Sequence, residues 1–266
     1  MADFYARSRE VEAAAVASVA EAMKARRAQP QPRAKLDRAA DAALPRGTRV
    51  LEVGCGTGAI ARLLVRDPRV REVVGVDPSP LLVSKARQLA AGETRLRFDV
   101  ADGTALSFGA SSFDTVILHR VLSHVPRSEQ VLDEAARVLR PGGGLAVFDG
   151  NFATLSLGGE ENDPLENCIS AFIPAHVHDP WIVQRLVTLA AESGFVSGRL
   201  RSFGRIQMDD TEYVVTILER GAAALVAAGR IGPYLGEALK AEARRRAQAG
   251  ALFGHIDYAC LTARKL

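Results

Sequence analysis

The chain has 266 residues, of which 48% are hydrophobic, and its formal net charge is +3. This length fits one large α/β domain or one domain with a cap, and the apolar fraction is too high for a disordered chain. No apolar run reaches the roughly 18 residues that span a membrane, and the first residues do not form a secretory signal. Three widely spaced cysteines, Cys55, Cys168 and Cys260, favour a reduced, cytoplasmic protein. The small net charge by itself gives no argument for a nucleic-acid partner.

The N-terminal segment predicts two helices ahead of any strand. Apolar residues on one face indicate a helix over residues 8–27, and a Gln-Pro-Gln-Pro stretch breaks it before a second helix over residues 34–43. We assign residues 1–45 to an N-terminal helical cap segment and residues 46–266 to the main domain. Basic side chains crowd this region, namely Lys24, Arg26, Arg27, Arg33, Lys35, Arg38, Arg46 and Arg49. A solvated helix face explains them, and attraction of an acidic substrate is the alternative.

From residue 50 onward, short apolar strands alternate with helices. The predicted strands cover residues 50–53, 73–76, 96–100, 113–118 and 145–148, and the predicted helices cover residues 57–65, 80–90 and 129–139. An Arg-Pro-Gly-Gly-Gly turn ends the last of these helices. Such alternation predicts a parallel sheet with helices on both faces.

The remaining sequence predicts a long irregular segment and three more helices. Residues 150–178 show no clear periodicity, and long irregular segments inside compact domains often carry function. A helix follows from Asp179-Pro180 to Gly194. Further strands are predicted over residues 196–206 and 256–263, with helices over residues 211–228 and 233–248 between them. We place cap or substrate-binding insertions at about residues 150–180 and 208–250.

A glycine-rich turn follows the first predicted strand. Its pattern is Glu52-x-Gly54-x-Gly56-x-Gly58, and Asp77 ends the second strand 19 residues after Gly58. Glycines let the backbone turn tightly and let a ligand approach it closely, and a carboxylate at Asp77 can accept both hydroxyls of a ribose. The pattern differs from the G-x-G-x-x-G of dinucleotide sites. An acid at position 52 suits a cationic ligand better than a polyanion.

Four blocks, in this order, resemble the class I S-adenosylmethionine-dependent methyltransferases, in particular the small-molecule branch similar to the ubiquinone and menaquinone methyltransferases. The blocks are residues 50–58, residues 73–80, the Phe-Asp-Val-Ala-Asp-Gly stretch at residues 98–103, and residues 113–143. The resemblance covers about residues 48–149. It implies an α/β fold with a Rossmann-like doubly wound sheet of seven strands, the last strand antiparallel, and a helical cap over the strand ends. It also implies S-adenosylmethionine as the methyl donor, with S-adenosylhomocysteine as the product.

The resemblance implies residue roles around the donor. The implied donor-binding residues are Glu52, Gly54, Gly56, Gly58, Asp77, Pro78, Asp102, Gly103, Leu118 and His119. By position, the glycines line the methionine part, Asp77 holds the ribose, and Asp102 accepts from the adenine amino group. Leu118 and His119 lie near the methyl and carboxylate end. Two alternatives stay open, because Asp77 could cap the helix after Pro78 and Asp102 could belong to a plain Asp-Gly turn.

Methyl transfer from a sulfonium is a direct displacement, so the protein mainly aligns the reactants and excludes water. A base is needed only when the acceptor starts protonated, and histidine side chains change charge near neutral pH. His119, at the end of the fourth strand, is the candidate general base, and simple lining of the pocket is the alternative. The candidate acceptor-binding residues are Tyr5, His124, Phe152, His176 and His178. Ordinary packing is the alternative for His124 and Phe152, and no carboxylate or cysteine completes a metal site with the other histidines, so we expect no metal.

The sequence therefore favours an enzyme, a methyltransferase acting on oxygen, nitrogen or carbon of a small-molecule acceptor in an enclosed pocket. The first alternative is a methyltransferase acting on RNA or protein. Residues 118–121 read Leu-His-Arg-Val instead of an Asn/Asp-Pro-Pro-Tyr/Phe block, which argues against methylation of nucleic-acid amino groups. A non-catalytic S-adenosylmethionine-binding protein is the second alternative, and a dehydrogenase is the weakest. We expect no membrane and no nucleic-acid partner, and whether the chain forms a homodimer stays open.

Overall fold

The computed structural model describes residues 47–159 and 161–266, so the predicted N-terminal helices and Tyr5 lie outside the described residues. The strands are β1 (Thr48–Val53), β2 (Val70–Asp77), β3 (Leu96–Val100), β4 (Phe113–His119), β5 (Leu139–Gly158), β6 (Phe195–Gln207) and β7 (Phe253–Lys265). The helices are α1 (Ala59–Leu64), α2 (Pro80–Leu89), α3 (Ser128–Val138), α4 (Glu166–His176), α5 (Ile182–Glu192), α6 (Glu212–Ala227) and α7 (Pro233–Gln248), with a short 3-10 helix at Leu122–His124. No helix among the described residues has both the length and the apolar character that a membrane crossing requires.

All seven strands form one sheet in the order β3-β2-β1-β4-β5-β7-β6. Strands β1 to β5 run parallel, and β7 runs antiparallel to both of its neighbours, β5 and β6. The predicted doubly wound sheet of seven strands with an antiparallel last strand is confirmed. Because β2 and β4 flank β1 on opposite sides, the strand order reverses at β1, and a ligand crevice is expected at the carboxyl ends of these strands.

The parallel strands are buried on both faces, which explains why their sequences are continuous apolar runs. Val50 and Leu51 are both fully buried, and they belong to cores on opposite faces of the sheet. One face packs against α3 and α5, and the other packs against α1 and α2. The predicted apolar stripe of α3 faces the first of these cores, with Val131, Leu132, Ala135 and Val138 buried.

Strand β5 continues well past the end of the parallel sheet. Its Phe148 pairs with His119, the last residue of β4, so residues 149–158 extend beyond the carboxyl end of β4 and pair with β7. The prediction of an irregular segment over residues 150–178 is therefore wrong, because β5 and α4 together cover most of it. A register shift after Asn151 interrupts the alternation of side chains along the strand, and this interruption hid the strand in the sequence.

Helices α4, α6 and α7 pack together on this extension of β5 and β7, and we call them the helical cluster. Their apolar side chains form a core of their own with Phe152 of β5 and with Ile256 and Tyr258 of β7. Helices α4 and α6 cross closely, since a Cβ on Gly221 would lie 1.9 Å from the carbonyl oxygen of Cys168. The helical cluster therefore stands beside the carboxyl ends of β4 and β5.

Candidate functional site

The turn between β1 and α1 has a backbone conformation that glycine adopts readily and other residues do not. Gly54, Gly56 and Gly58 have φ angles of 70°, 53° and 70°, which is the left-handed region. Space is also limiting, because a Cβ on Gly54 would lie 2.5 Å from Val121, and one on Gly58 would lie 2.5 Å from Phe98. The glycines leave bare backbone at the carboxyl end of β1, where a ligand can approach it closely.

Asp77, at the end of β2, is hydrogen-bonded to this turn. Its Oδ2 accepts a hydrogen bond from the Gly56 amide at 2.9 Å, and its Oδ1 accepts one from the Ser79 amide at 2.9 Å. Burial raises the pKa of Asp77. Ser79, and not Asp77, caps α2, because the Ser79 hydroxyl accepts from the Leu82 amide. Each Asp77 oxygen keeps a lone pair for a further donor, such as a ribose hydroxyl.

Glu52 is a buried acid beneath the same turn. It is 1% exposed, and its Oε2 has no hydrogen-bond partner among the described residues. Burial raises the pKa of Glu52 to about 8; the charge of Asp77 adds to the increase, and the Ala61 amide and Arg62 oppose it. A buried polar atom without a partner costs free energy. A cationic ligand with an N–H donor within reach of Oε2 would remove that cost and lower the pKa of Glu52, so the carboxyl group would ionise and match the ligand's charge.

Asp102 and Gly103 follow the end of β3, beside the end of β2. Asp102 is exposed, and its Oδ1 accepts hydrogen bonds from the amide and the hydroxyl of Thr104 at 2.8 Å each. Asp102 therefore does take part in a local turn, which is the alternative role that the sequence left open. The same carboxylate still offers Oδ2 to an adenine amino group. Pro78 is exposed at the end of β2, on the same edge of the sheet.

The two predicted residues at the end of β4 differ in their surroundings. Leu118 is fully buried in the core, so core packing occupies its side chain. His119 is partly exposed, and its ring stacks on Phe148 with 5.1 Å between ring centroids and 8° between ring planes. Phe148 stacks in turn on Tyr258 at 5.3 Å and 8°. Three nearly parallel rings therefore run from β4 across β5 to β7, and they fix the plane of the His119 imidazole at the strand ends.

Three of the predicted acceptor residues lie together between the 3-10 helix and α4. His124 Nδ1 lies 3.1 Å from the carbonyl oxygen of His176, and the His124 ring packs edge-on against Phe152 at 5.8 Å. Phe152 is 1% exposed within the core of the helical cluster, whereas the His178 side chain is exposed. Burial lowers the pKa of His124 and lowers that of His176 to about 4, so both rings are neutral at neutral pH. In the part of the chain that the structure describes, no three His, Cys, Asp or Glu side chains gather as a metal site requires.

Sequence reasoning passed over Arg120, which directly follows His119. Its Nη2 donates a hydrogen bond to the Tyr213 hydroxyl at 2.8 Å. Its guanidinium carbon lies 5.1 Å from the ring centroid of Tyr213 and 5.8 Å from that of Tyr258. The sequence did contain one indication of Arg120, because a charged residue at the carboxyl end of a parallel strand lies where ligands usually bind. The tyrosine partners come from α6 and β7, far along the chain, so no local pattern could indicate them.

A family described as "Methyltransferase domain" matches residues 51–147 of this chain. The matched range contains most of β1, all of β2, β3 and β4, and most of the part of β5 that pairs with β4. It therefore includes the glycine-rich turn, Asp77, Asp102 and His119. The helical cluster lies outside it.

Named relatives match part of the chain. The 2-methyl-6-phytyl-1,4-hydroquinone methyltransferase of Synechocystis sp. is 41% identical over 108 residues, which cover 41% of this chain and 34% of that protein. The ubiquinone/menaquinone biosynthesis C-methyltransferase of Dinoroseobacter shibae is 41% identical over 105 residues, which cover 38% of this chain and 42% of that protein. The chain therefore spans less than half the length of either relative. The crystal structure of a putative methyltransferase from Bacillus halodurans C-125 has the same fold, with a TM-score of 0.61 and 21% identity over 87% of this chain and 99% of that one.

Proposed function

We propose that this chain, which contains a methyltransferase domain over residues 51–147, binds S-adenosylmethionine and transfers its methyl group to a small-molecule acceptor. One observation carries the proposal, and it lies at the carboxyl ends of β1 and β2. There a bare glycine turn is tied to Asp77 and lies over Glu52, a buried acid whose Oε2 lacks a partner among the described residues.

The residues at this edge of the sheet fit the parts of the donor. Glu52 suits the cationic amino-acid end, and the bare backbone of residues 54–58 suits close approach of the methionine part. Asp77 keeps lone pairs for the ribose hydroxyls, and Asp102 keeps Oδ2 for the adenine amino group. The donor has no phosphate, which agrees with an acid, and not a base, beneath the turn.

When bound, S-adenosylmethionine supplies a methyl group that its sulfonium has already activated. The residues of this chain have to orient the acceptor, exclude water and, where the acceptor starts protonated, take up its proton. We assign the proton to a ring nitrogen of His119, because stacking on Phe148 holds the imidazole at the strand ends. The helical cluster covers the neighbouring side and excludes water there.

We further propose that the acceptor is a flat aromatic molecule of the quinol type. Two relatives are named for hydroquinone or quinone substrates. In this chain, the stacked rings of His119, Phe148 and Tyr258 present parallel planes beside the strand ends. Aromatic rings pack well on such planes in offset or edge-to-face arrangements.

The proposal predicts that a substitution of Asp77 weakens donor binding and that a substitution of His119 slows turnover. Asp77→Asn should weaken S-adenosylmethionine binding by about tenfold or more, because a charged acceptor of hydrogen bonds is lost. His119→Ala should leave that affinity nearly unchanged and slow turnover by about a hundredfold if the imidazole acts as the base. The measurements are donor affinity by calorimetry and S-adenosylhomocysteine formation with a panel of substituted hydroquinones and phenols.

The matched control is Asp99→Asn, an aspartate on neighbouring β3 that pairs with Arg97 at the surface and should affect neither quantity. Unchanged donor affinity in Asp77→Asn would remove Asp77 from the donor site. Unchanged turnover in His119→Ala would remove His119 from the mechanism. Donor binding without S-adenosylhomocysteine formation on any acceptor would favour the non-catalytic alternative. Turnover on RNA or protein alone would favour the macromolecular one.

A further inference from the structure

Arg120, directly after β4, carries a positive charge that no carboxylate among the described residues pairs with. Among the described residues, its guanidinium forms one side-chain hydrogen bond, from Nη2 to Tyr213, and no salt bridge. Burial lowers the pKa of Arg120, but the nearby Tyr213, Tyr258 and Asp149 raise it by more, so the group stays charged. A guanidinium has several N–H donors, and most of those on Arg120 have no acceptor among the described residues.

Asp149, the acidic residue near Arg120, already accepts hydrogen bonds from other groups. The Asp149 oxygens accept hydrogen bonds from the Ser123 hydroxyl and amide and from the Gly150 amide. Asp149 therefore balances charge at a distance and does not pair with the guanidinium. A second arginine beside Tyr258, Arg205, forms a salt bridge with Asp210 at 2.9 Å. Among the described residues at this edge, Arg120 keeps N–H donors that can bind an external anion.

The backbone at Arg120 is strained, and this conformation affects the direction of its side chain. Its φ is 60°, a left-handed conformation that costs free energy in a residue other than glycine. Successive side chains of an extended strand point to opposite faces. Here, however, both His119 and Arg120 reach the same aromatic group, His119 through Phe148 and Arg120 directly at Tyr258. With this left-handed backbone, the guanidinium of Arg120 lies over the Tyr258 ring, which is the third ring of the stack that begins at His119.

The next residue links this group to the donor turn. Val121 packs closely against Gly54. A Cβ on Gly54 would lie 2.5 Å from Cγ2 of Val121. Arg120 is therefore the sequence neighbour of a residue that packs on the glycine turn, and its side chain contacts α6 of the helical cluster. An acceptor that meets the donor at the end of β4 comes within reach of this guanidinium.

We propose that Arg120 binds an anionic oxygen of the acceptor, which makes the acceptor an aromatic carboxylic acid or an acidic phenol. The inference rests on the proposed function, because it places the acceptor beside the donor turn. The guanidinium forms charge-assisted hydrogen bonds with carboxylate or phenolate oxygens, and Tyr213 fixes its orientation. The ring stack that includes His119 holds the aromatic part next to it.

The test compares anionic probes with neutral probes of the same shape. Benzoate is paired with benzamide, and 4-nitrophenolate with 4-nitroanisole, at mildly alkaline pH. Dissociation constants are measured by calorimetry for the wild-type chain, with and without S-adenosylhomocysteine. We expect the wild type to prefer the anionic member of at least one pair by about tenfold, the typical advantage of a charge-assisted hydrogen bond. Preference for benzoate identifies a carboxylic acid, and preference for nitrophenolate identifies a phenol.

Arg120→Gln should abolish the preference while leaving S-adenosylhomocysteine affinity unchanged, and Arg120→Lys should keep part of it. The matched control is Arg205→Gln, which removes a cation from the same group of side chains and should keep the preference. Retained S-adenosylhomocysteine binding shows that each variant is folded.

Equal binding of charged and neutral probes to the wild type would overturn the inference without any variant. Preference that survives in Arg120→Gln, or disappears equally in Arg205→Gln, would also overturn it. Failure of the proposed function appears separately, as absence of S-adenosylhomocysteine binding in the wild type.

Discussion

Glu52 and Asp77 are two buried acids under one turn, and each has a raised pKa. The two acids differ in the hydrogen bonds that offset the free-energy cost of burying them. Asp77 has two backbone amides as donors, whereas Glu52 has an oxygen without a partner among the described residues. The sequence pattern predicted the position of both acids, since it fixed the strand ends. It could not predict the direction in which their pKa values shift, because both shifts depend mainly on burial, and that of Glu52 also on the nearby Asp77.

The raised pKa of Glu52 predicts a pH-dependent loss of stability. Because its pKa rises from 4.5 to about 8 on folding, its contribution to stability is fully present below pH 4.5 and is lost as the pH rises through 8. Glu52→Gln cannot ionise, so the variant should gain stability relative to wild type over that range, by at most about 1.4 kcal/mol per pH unit. Chemical unfolding measured across this range checks the slope.

Glu134→Gln is the control of opposite sign. A hydrogen bond from Arg137 lowers the pKa of Glu134, so its contribution is present above pH 4.5 and is lost on acidification through the folded-state pKa. Its removal should therefore lower stability at neutral pH and have less effect in acid. A difference between Glu52→Gln and wild type that stays constant from pH 4.5 to 8 would show that Glu52 is not neutral in the folded chain.

The elements of this fold could be predicted where local patterns are strong. Helix α7 has the predicted bounds, because Pro233 starts it and alanine-rich turns continue it to Gln248. The extension of β5 could not be predicted, since its pairing partner, β7, begins about a hundred residues later in the chain. Helix α4 was also missed, because its apolar side chains face α6 and not the sheet core. Elements held mainly by distant partners leave the weakest local signal.

The close crossing of α4 and α6 predicts that Gly221 tolerates no side chain. A Cβ at this position would lie 1.9 Å from the backbone carbonyl of Cys168, so the helices would have to move apart. Gly221→Ala should lower the free energy of unfolding by about 1–3 kcal/mol, as overpacked sites do. Gly109→Ala is the control, because the nearest atom to its Cβ, in Ser112, would be 3.6 Å away. Equal stability of the two variants in denaturant would contradict the crossing.

At the scale of the whole molecule, the resemblance to quinone methyltransferases is confirmed by the matched domain and by the named relatives. The order and direction of the strands agree with that resemblance, and the proposed donor site lies at strand ends that its motifs mark. The group formed by Arg120, Tyr213 and Tyr258, where we propose that the acceptor binds, could not be predicted. Those residues meet only through long-range pairing and a left-handed backbone at Arg120.

The sheet and the helical cluster should unfold as one unit. Strands β5 and β7 run through both, and α5 and β6 of the main sheet lie between α4 and α6 in the chain. Calorimetry of the chain should therefore give one transition for the described residues. S-adenosylhomocysteine should shift that transition as a whole, with about 2.7 kcal/mol of stabilisation at a hundred times its dissociation constant. Two transitions, with only one moved by the ligand, would show that the helical cluster is a separate domain.

The position of β7 between β5 and β6 also has a consequence for the order in which the protein is made. A ribosome produces β6 before β7, yet β7 is the strand that joins β6 to the rest of the sheet. Until residues 253–265 emerge, the nascent chain exposes the edge of β5 and an unpaired β6, and such edges invite pairing with other chains. Because β7 is made after β6 and lies between β6 and β5, β6 cannot join the sheet until β7 has left the ribosome.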